Sequence, residues 1–146
     1  EGLLPLPYYL TAFANYTWQQ TSTSADPLGG NIRELVDLPE HKVNLGLRYR
    51  HPKGAEGKIY LRIVSKTSQP QVRINPITQT ITGVALLPLK GFATLNLEGR
   101  YPVLNYAGFT GFIYFGVDNL FGNHYQESYG FPMPTQTIYG GLQLRY

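Results

Sequence analysis

Six stretches of this chain alternate apolar and polar residues, and the connections between them alternate long and short. A period of two means a strand with one apolar and one polar face. The first stretch runs from Tyr8 to Gln19, with Leu10, Ala12, Ala14, Tyr16 and Trp18 on one face and Thr11, Asn15, Thr17 and Gln19 on the other. The second, His41 to His51, sets Val43, Leu45, Leu47 and Tyr49 against Lys42, Asn44, Arg48 and Arg50. The third, Lys58 to Gln69, sets Ile59, Leu61 and Ile63 against Tyr60, Arg62 and Lys66. In the fourth, from about Lys90 to Tyr101, Ala93, Leu95, Leu97 and Tyr101 oppose Thr94, Asn96, Glu98 and Arg100. The fifth, Thr110 to Phe121, is apolar on both faces, and the phase favoured puts Phe115 and Val117 outward with Gly116 and Asp118 inward. The sixth, Thr135 to Tyr146, places Ile138, Leu142, Leu144 and Tyr146 opposite Tyr139, Gln143 and Arg145.

Alternation alone fits two architectures. In a soluble sandwich the apolar face points inward, and in a membrane barrel it points out to lipid. The connections discriminate: Thr21–Glu40 is long, Pro52–Gly57 short, Pro70–Leu89 long, Pro102–Phe109 short and Gly122–Pro134 long again. Outer-membrane barrels keep long loops outside and short turns in the periplasm, whereas a sandwich has no reason to do so. The expected fold is therefore all-β: about six antiparallel transmembrane strands, with the first rising from the periplasm. Tyr8, Tyr49, Tyr101, Tyr106 and Tyr146 collect at the periplasmic rim of this arrangement, and Tyr16, Trp18, Phe121 and Tyr125 near the outer one. Two such belts suit amphipathic rings at two membrane interfaces.

The 12 tyrosines and 16 glycines favour strands and turns over helices. No apolar run reaches the length of a transmembrane helix, which says nothing against a barrel. The absence of cysteine excludes disulfides and thiolate chemistry. A net charge of +3, spread along the chain, gives no nucleic-acid arm. The chain opens at Glu1 with no leader, as a processed product or a fragment does.

The segment Phe115-Gly-Val-Asp-Asn-Leu-Phe-Gly-Asn-His-Tyr125, then Tyr129-Gly-Phe-Pro-Met-Pro-Thr135 and a strand with a terminal aromatic, resembles the C-terminus of TonB-dependent outer-membrane receptors. Leu38-Pro-Glu-His-Lys-Val-Asn-Leu45 is similar to that family's entry into an earlier strand, and Leu89-Lys-Gly-Phe-Ala-Thr-Leu-Asn-Leu97 to another of its strands. The order and spacing of these motifs cover nearly the whole chain. One departure is Met133-Pro-Thr-Gln-Thr137, where the family commonly carries Pro-Gly-Arg. The resemblance implies a bacterial outer-membrane location and nutrient uptake (siderophore, cobalamin or similar) energised through TonB. It also implies partners: outer-membrane lipid, the remaining barrel strands, a plug, TonB and the barrel-assembly machinery.

Such receptors have about 22 strands around a plug, and six strands fall short even of the smallest barrels of eight. Residues 1–146 are thus expected to be a single segment, the C-terminal strands of a larger barrel. The alternative is a complete eight-stranded barrel with a structural or adhesive role, its extra strands drawn from Gln71–Asn75 and Gln79–Gly83. Those arms are too short to cross a bilayer and read better as a hairpin within an outer loop. A soluble β-sandwich binding module is the second alternative.

No catalytic set, cofactor motif or metal site emerges. His41, His51 and His124 fall at different rims. Asp118 and Glu98 share the polar face with Arg48, Arg62, Arg100 and Arg145, so a ladder of ion pairs is simpler than an acid–base pair. Asn119-Leu-Phe-Gly122 reads as a strand end and turn, with Gly122 free to take a positive φ. Tyr125, Tyr129 and Phe131 are the candidate ligand contacts in the last loop. Tyr146, Leu144 and Leu142 on the last strand are the candidate assembly signal, an amphipathic free edge.

Overall fold

The computed structural model describes residues 2–19 and 38–146. Their strands, in chain order, begin with β1 (Gly2–Leu6), β2 (Leu10–Trp18), β3 (His41–Arg50) and β4 (Glu56–Val64). β5 (Thr67–Ile74) and β6 (Ile81–Leu89) follow, then β7 (Phe92–Tyr106) and β8 (Phe109–Asp118). The last are β9 (Gln126–Ser128), β10 (Phe131–Pro132) and β11 (Thr137–Arg145). Seven of them form one antiparallel sheet in the order β1-β2-β3-β4-β7-β8-β11. β5–β6 and β9–β10 are separate two-stranded hairpins. The seven-stranded sheet is open, with β1 and β11 at its edges, so it is part of a barrel wall and not a closed eight-stranded barrel.

Every short connection of the sheet (residues 7–9, 51–55 and 107–108) lies on one rim, and the strand ends that the long ones join (Trp18 and His41, Val64 and Phe92, Asp118 and Thr137) lie on the other. The middle of the first long connection, 20–37, lies outside the described residues. The expected hairpin exists, but it is longer than its five-residue arms suggested. β5 and β6 pair from Thr67↔Leu89 to Ile74↔Ile81. At its tip Asn75 Oδ1 accepts hydrogen bonds from the backbone N–H of Ile77 and Thr78, an Asx turn.

Several boundaries move, each for a local reason. The first expected strand starts at Leu10, not Tyr8, because Tyr8 and Tyr9 occupy a tight turn with φ of 62° and 64°. That turn leads back into β1, a strand not anticipated because Gly2–Leu6, with two leucines side by side, does not alternate. The third expected strand stops at Val64, and Thr67 begins the hairpin. The fourth runs on to Tyr106, past Pro102, where the register shifts between Pro102 and Leu104. A bulge tolerates the missing N–H of proline, so Pro102 does not end the strand. The turn is then only Ala107-Gly108, with φ of 48° and 87°.

Exposure on the two faces is the reverse of a soluble protein's. Ile138, Leu142 and Leu144 are 72%, 75% and 73% exposed, whereas Thr94 and Asn96 on the other face are 3% and 5%. Leu45, Leu47, Ile59, Ile63, Ile113 and Phe115 are also exposed on the apolar face. Nothing among the described residues covers that face, because the other two sheets are small hairpins at the loop rim. A sandwich would have buried it. The fifth strand follows the favoured phase: Phe115 and Val117 align with Gly140 and Ile138, and Gly116 and Asp118 with Tyr139 and Thr137.

Glycines make room across the sheet. A Cβ on Gly116 or Gly99 would run into the ring of Tyr139 or Phe115, and one on Gly141 would lie 2.5 Å from Tyr114 Oη. Rings laid over cross-strand glycines restore the packing that a bare backbone lacks. Gly46 is tighter still, since its Cβ would collide with Ile59 O and lie 2.8 Å from Tyr60 Cα. Backbone cannot swing aside as a side chain can. Gly46→Ala is therefore expected to destabilise the fold by about 1–3 kcal/mol, read from the urea midpoint of refolded protein.

Candidate functional site

The loop rim is organised by a knot of hydrogen bonds after β8. Asn119 takes φ of 52°, which Asn tolerates better than most residues. Its N–H donates to Asn96 Oδ1 at 3.0 Å, and its side chain bonds both the N–H and the C=O of Asn123. Asn123 Nδ2 in turn donates to Ala93 O at 2.8 Å, and Leu120 N–H to Leu95 O. The Asn-Leu-Phe-Gly motif thus ties the last long loop to β7, with Gly122 at φ 66°.

From this anchor the loop carrying β9 and β10 folds against the base of the β5–β6 hairpin. Arg62 Nη1 donates to Glu127 Oε1 at 2.9 Å. Gln69 accepts from Tyr129 N–H at 2.6 Å and donates to Ser128 Oγ at 3.1 Å. Tyr125 stacks on Phe92 with centroids 4.2 Å apart, and Met133 N–H closes the loop onto Tyr125 O. Burial, reinforced by the Glu127 carboxylate, raises the Tyr125 hydroxyl above its ordinary pKa of 10.0. The phenol therefore stays neutral through the physiological range. Beneath the loop is a cavity of about 470 Å³, lined by Pro88, Leu89, His124, Tyr125, Tyr129 and Met133 among others. Its volume and apolar lining suit a small molecule.

Below this mouth the polar face is a wall of cations, most of them against an aromatic ring or a carboxylate. Arg100 Nη2 lies 3.0 Å from Glu56 Oε1, which Arg50 also approaches at 3.7 Å. Lys58 pairs with Glu98 at 3.7 Å and sits 4.0 Å above the Tyr60 ring. Arg48 lies over Phe13, Arg62 over Phe92 and Arg100 over Phe112. The expected ladder of ion pairs includes Arg62, Arg100 and Glu98. Arg48, Arg145 and Asp118 form no ion pair among the described residues.

An open sheet with a lipid-type outer face, a charged inner face and the strand ends of all long loops on one rim is the wall of an outer-membrane barrel. The family model for the TonB dependent receptor-like β-barrel matches residues 3–120. The chain belongs to this family. No curated protein matches it. TonB-dependent receptors are receptors and transporters of the outer membrane that work with a plug and with TonB. The match spans β1 to β8 and stops short of β11, so membership does not depend on the closing strand.

The structure brings together two of the three candidate ligand contacts: Tyr125 and Tyr129 line the cavity, while Phe131 is 72% exposed and lies outside its lining. Tyr125 does not belong to the outer aromatic belt, because its ring stacks on Phe92, which shares the polar face. Tyr16, Trp18 and Phe121 remain exposed at that rim. Leu142 and Leu144 project from the outer face of the edge strand, and Tyr146 packs its ring 4.8 Å from that of Phe109. His41 bonds Tyr16 Oη at 2.8 Å, His51 sits between Tyr9 and Tyr49, and His124 faces the cavity. Sequence reasoning passed over Phe13 and Phe92, apolar rings on a polar face. The readable signal was a basic residue on the neighbouring strand two positions from each ring's aligned partner, Arg48 beside Gly46 and Arg62 beside Val64.

Proposed function

We propose that this chain is the C-terminal part of the barrel of a TonB-dependent receptor that imports a scarce nutrient, such as a ferric siderophore or cobalamin. The observation that carries this reading is the loop-rim cavity above a cationic inner wall, inside a sheet whose apolar face is bare. The residues assigned to ligand contact are Tyr125 and Tyr129 in the cavity, with Phe131 at its approach. The remaining barrel strands and the plug complete the lumen, and TonB acts through the plug. Tyr146, Leu144 and Leu142 serve the barrel-assembly machinery as a free amphipathic edge.

Cells expressing the receptor should accumulate one of a panel of labelled ferric siderophores and cobalamin, with the protein in the outer-membrane fraction. Uptake should cease when a protonophore collapses the proton gradient that energises TonB. Recovery of the protein in a soluble fraction, or accumulation of every panel member unaltered by loss of the receptor, would overturn the proposal.

A further inference from the structure

A second, smaller cavity of about 140 Å³ opens where the β5–β6 hairpin leaves the sheet, lined by Lys42, Arg62, Thr67, Lys90, Gln126 and Glu127 among others. It shares Lys90 and Gln126 with the 470 Å³ cavity, so the two are neighbours. The donors outnumber the acceptors. Arg62 is committed to Glu127 at 2.9 Å, whereas Lys42 and Lys90 form no ion pair among the described residues. The Thr67 hydroxyl oxygen has neither a hydrogen-bond partner nor accessible surface, so a turn about χ1 is what brings it to the cavity that its side chain lines. An ammonium has donors only, and a hydroxyl without a partner has a proton to give. A buried polar atom left unpaired in a native fold calls for a partner from outside.

We infer that this small cavity binds the anionic group of the imported solute, a carboxylate or a phosphate. The apolar cavity under Tyr125 and Tyr129 takes the rest of the molecule. The inference rests on the receptor reading and narrows the solute to an organic acid or phosphate ester with an apolar body. Three features fix the class. The volume admits one oxyanion and little more, two ammonium groups with no ion pair among the described residues supply the charge, and Thr67, once turned about χ1, supplies a directional hydrogen bond. Lys42 and Arg62 align with Thr17 and Thr94 on the polar face, away from the bilayer, so a lipid headgroup is the wrong source.

The test is calorimetric titration of the intact receptor in nanodiscs of zwitterionic lipid, with inorganic phosphate and with benzoate as probes. Both should bind, and chloride at equal ionic strength should not compete. Lys42→Gln with Lys90→Gln should weaken both probes about tenfold or more, and Thr67→Val about threefold. Lys53→Gln, in the short β3–β4 turn, should change nothing. Unchanged affinity in both the lysine pair and Thr67→Val would overturn the inference, and if the lysine pair fails to fold, Thr67→Val alone decides. Loss of probe binding on adding anionic lipid to the nanodiscs would assign the site to a headgroup and also overturn it. A wild-type receptor that binds phosphate here yet imports nothing would refute the transport reading and leave the site standing. Intact import with unaltered affinities would refute the site alone.

Discussion

Leu45→Arg is expected to cost about 2–4 kcal/mol, the penalty for a cation on the lipid face near the bilayer midplane. Leu45 sits mid-strand in β3, between Ala14 on β2 and Leu61 on β4, and its side chain is 41% exposed. In a water-soluble protein an arginine at so exposed a position would shift stability by no more than about 0.5 kcal/mol. The expected loss comes entirely from the medium. Gln143→Arg, on the polar face of β11 opposite Phe112, should stay within that smaller range. Urea titrations of protein refolded into lipid vesicles measure both, and equal effects would mean that the apolar face does not meet lipid.

Asn119→Ala is the second large effect, at about 2–4 kcal/mol. Asn119 is 2% exposed, and its side chain holds both backbone groups of Asn123. Alanine would leave those groups unpaired, and would also meet the left-handed backbone at φ 52° without the local hydrogen bonds that favour asparagine there. Asn119→Gly separates the two causes, since glycine accepts the backbone and loses only the hydrogen bonds. Its expected cost is about half. The same vesicle titrations report it, and a neutral Asn119→Ala would show that the knot does not hold the loop.

The period of two made the wall legible because each spanning strand must sort lipid from lumen residue by residue. Its limits are as physical as its successes. β1 escaped because Leu3 and Leu4 both carry apolar side chains, on opposite faces of one strand. Pro102 looked like a strand end because proline lacks an N–H, but the bulge beside it removes the need for one. Tyr125 and Tyr129 were legible as loop aromatics. Their cavity was not, because Pro88 and Leu89 arrive from the far arm of a hairpin whose docking no local pattern encodes. Lys42, Thr67 and Lys90 lie on three separate segments, and only the fold makes neighbours of them.

The rings laid over glycines answer a difficulty that any alternating sheet in lipid meets. Sliding one strand past another by two residues keeps every apolar side chain on the outside, so lipid cannot tell the slipped sheet from the native one. The glycine notches can. A two-residue slip between β7 and β8 would set Phe115 against Leu97 or Tyr101 in place of Gly99. Between β8 and β11 it would set Tyr139 against Tyr114 or Asp118, and Tyr114 against Tyr139 or Gln143. Each notch accepts its ring at one alignment only, so the strands are proofread as they zip together, by shape where hydrophobicity is blind.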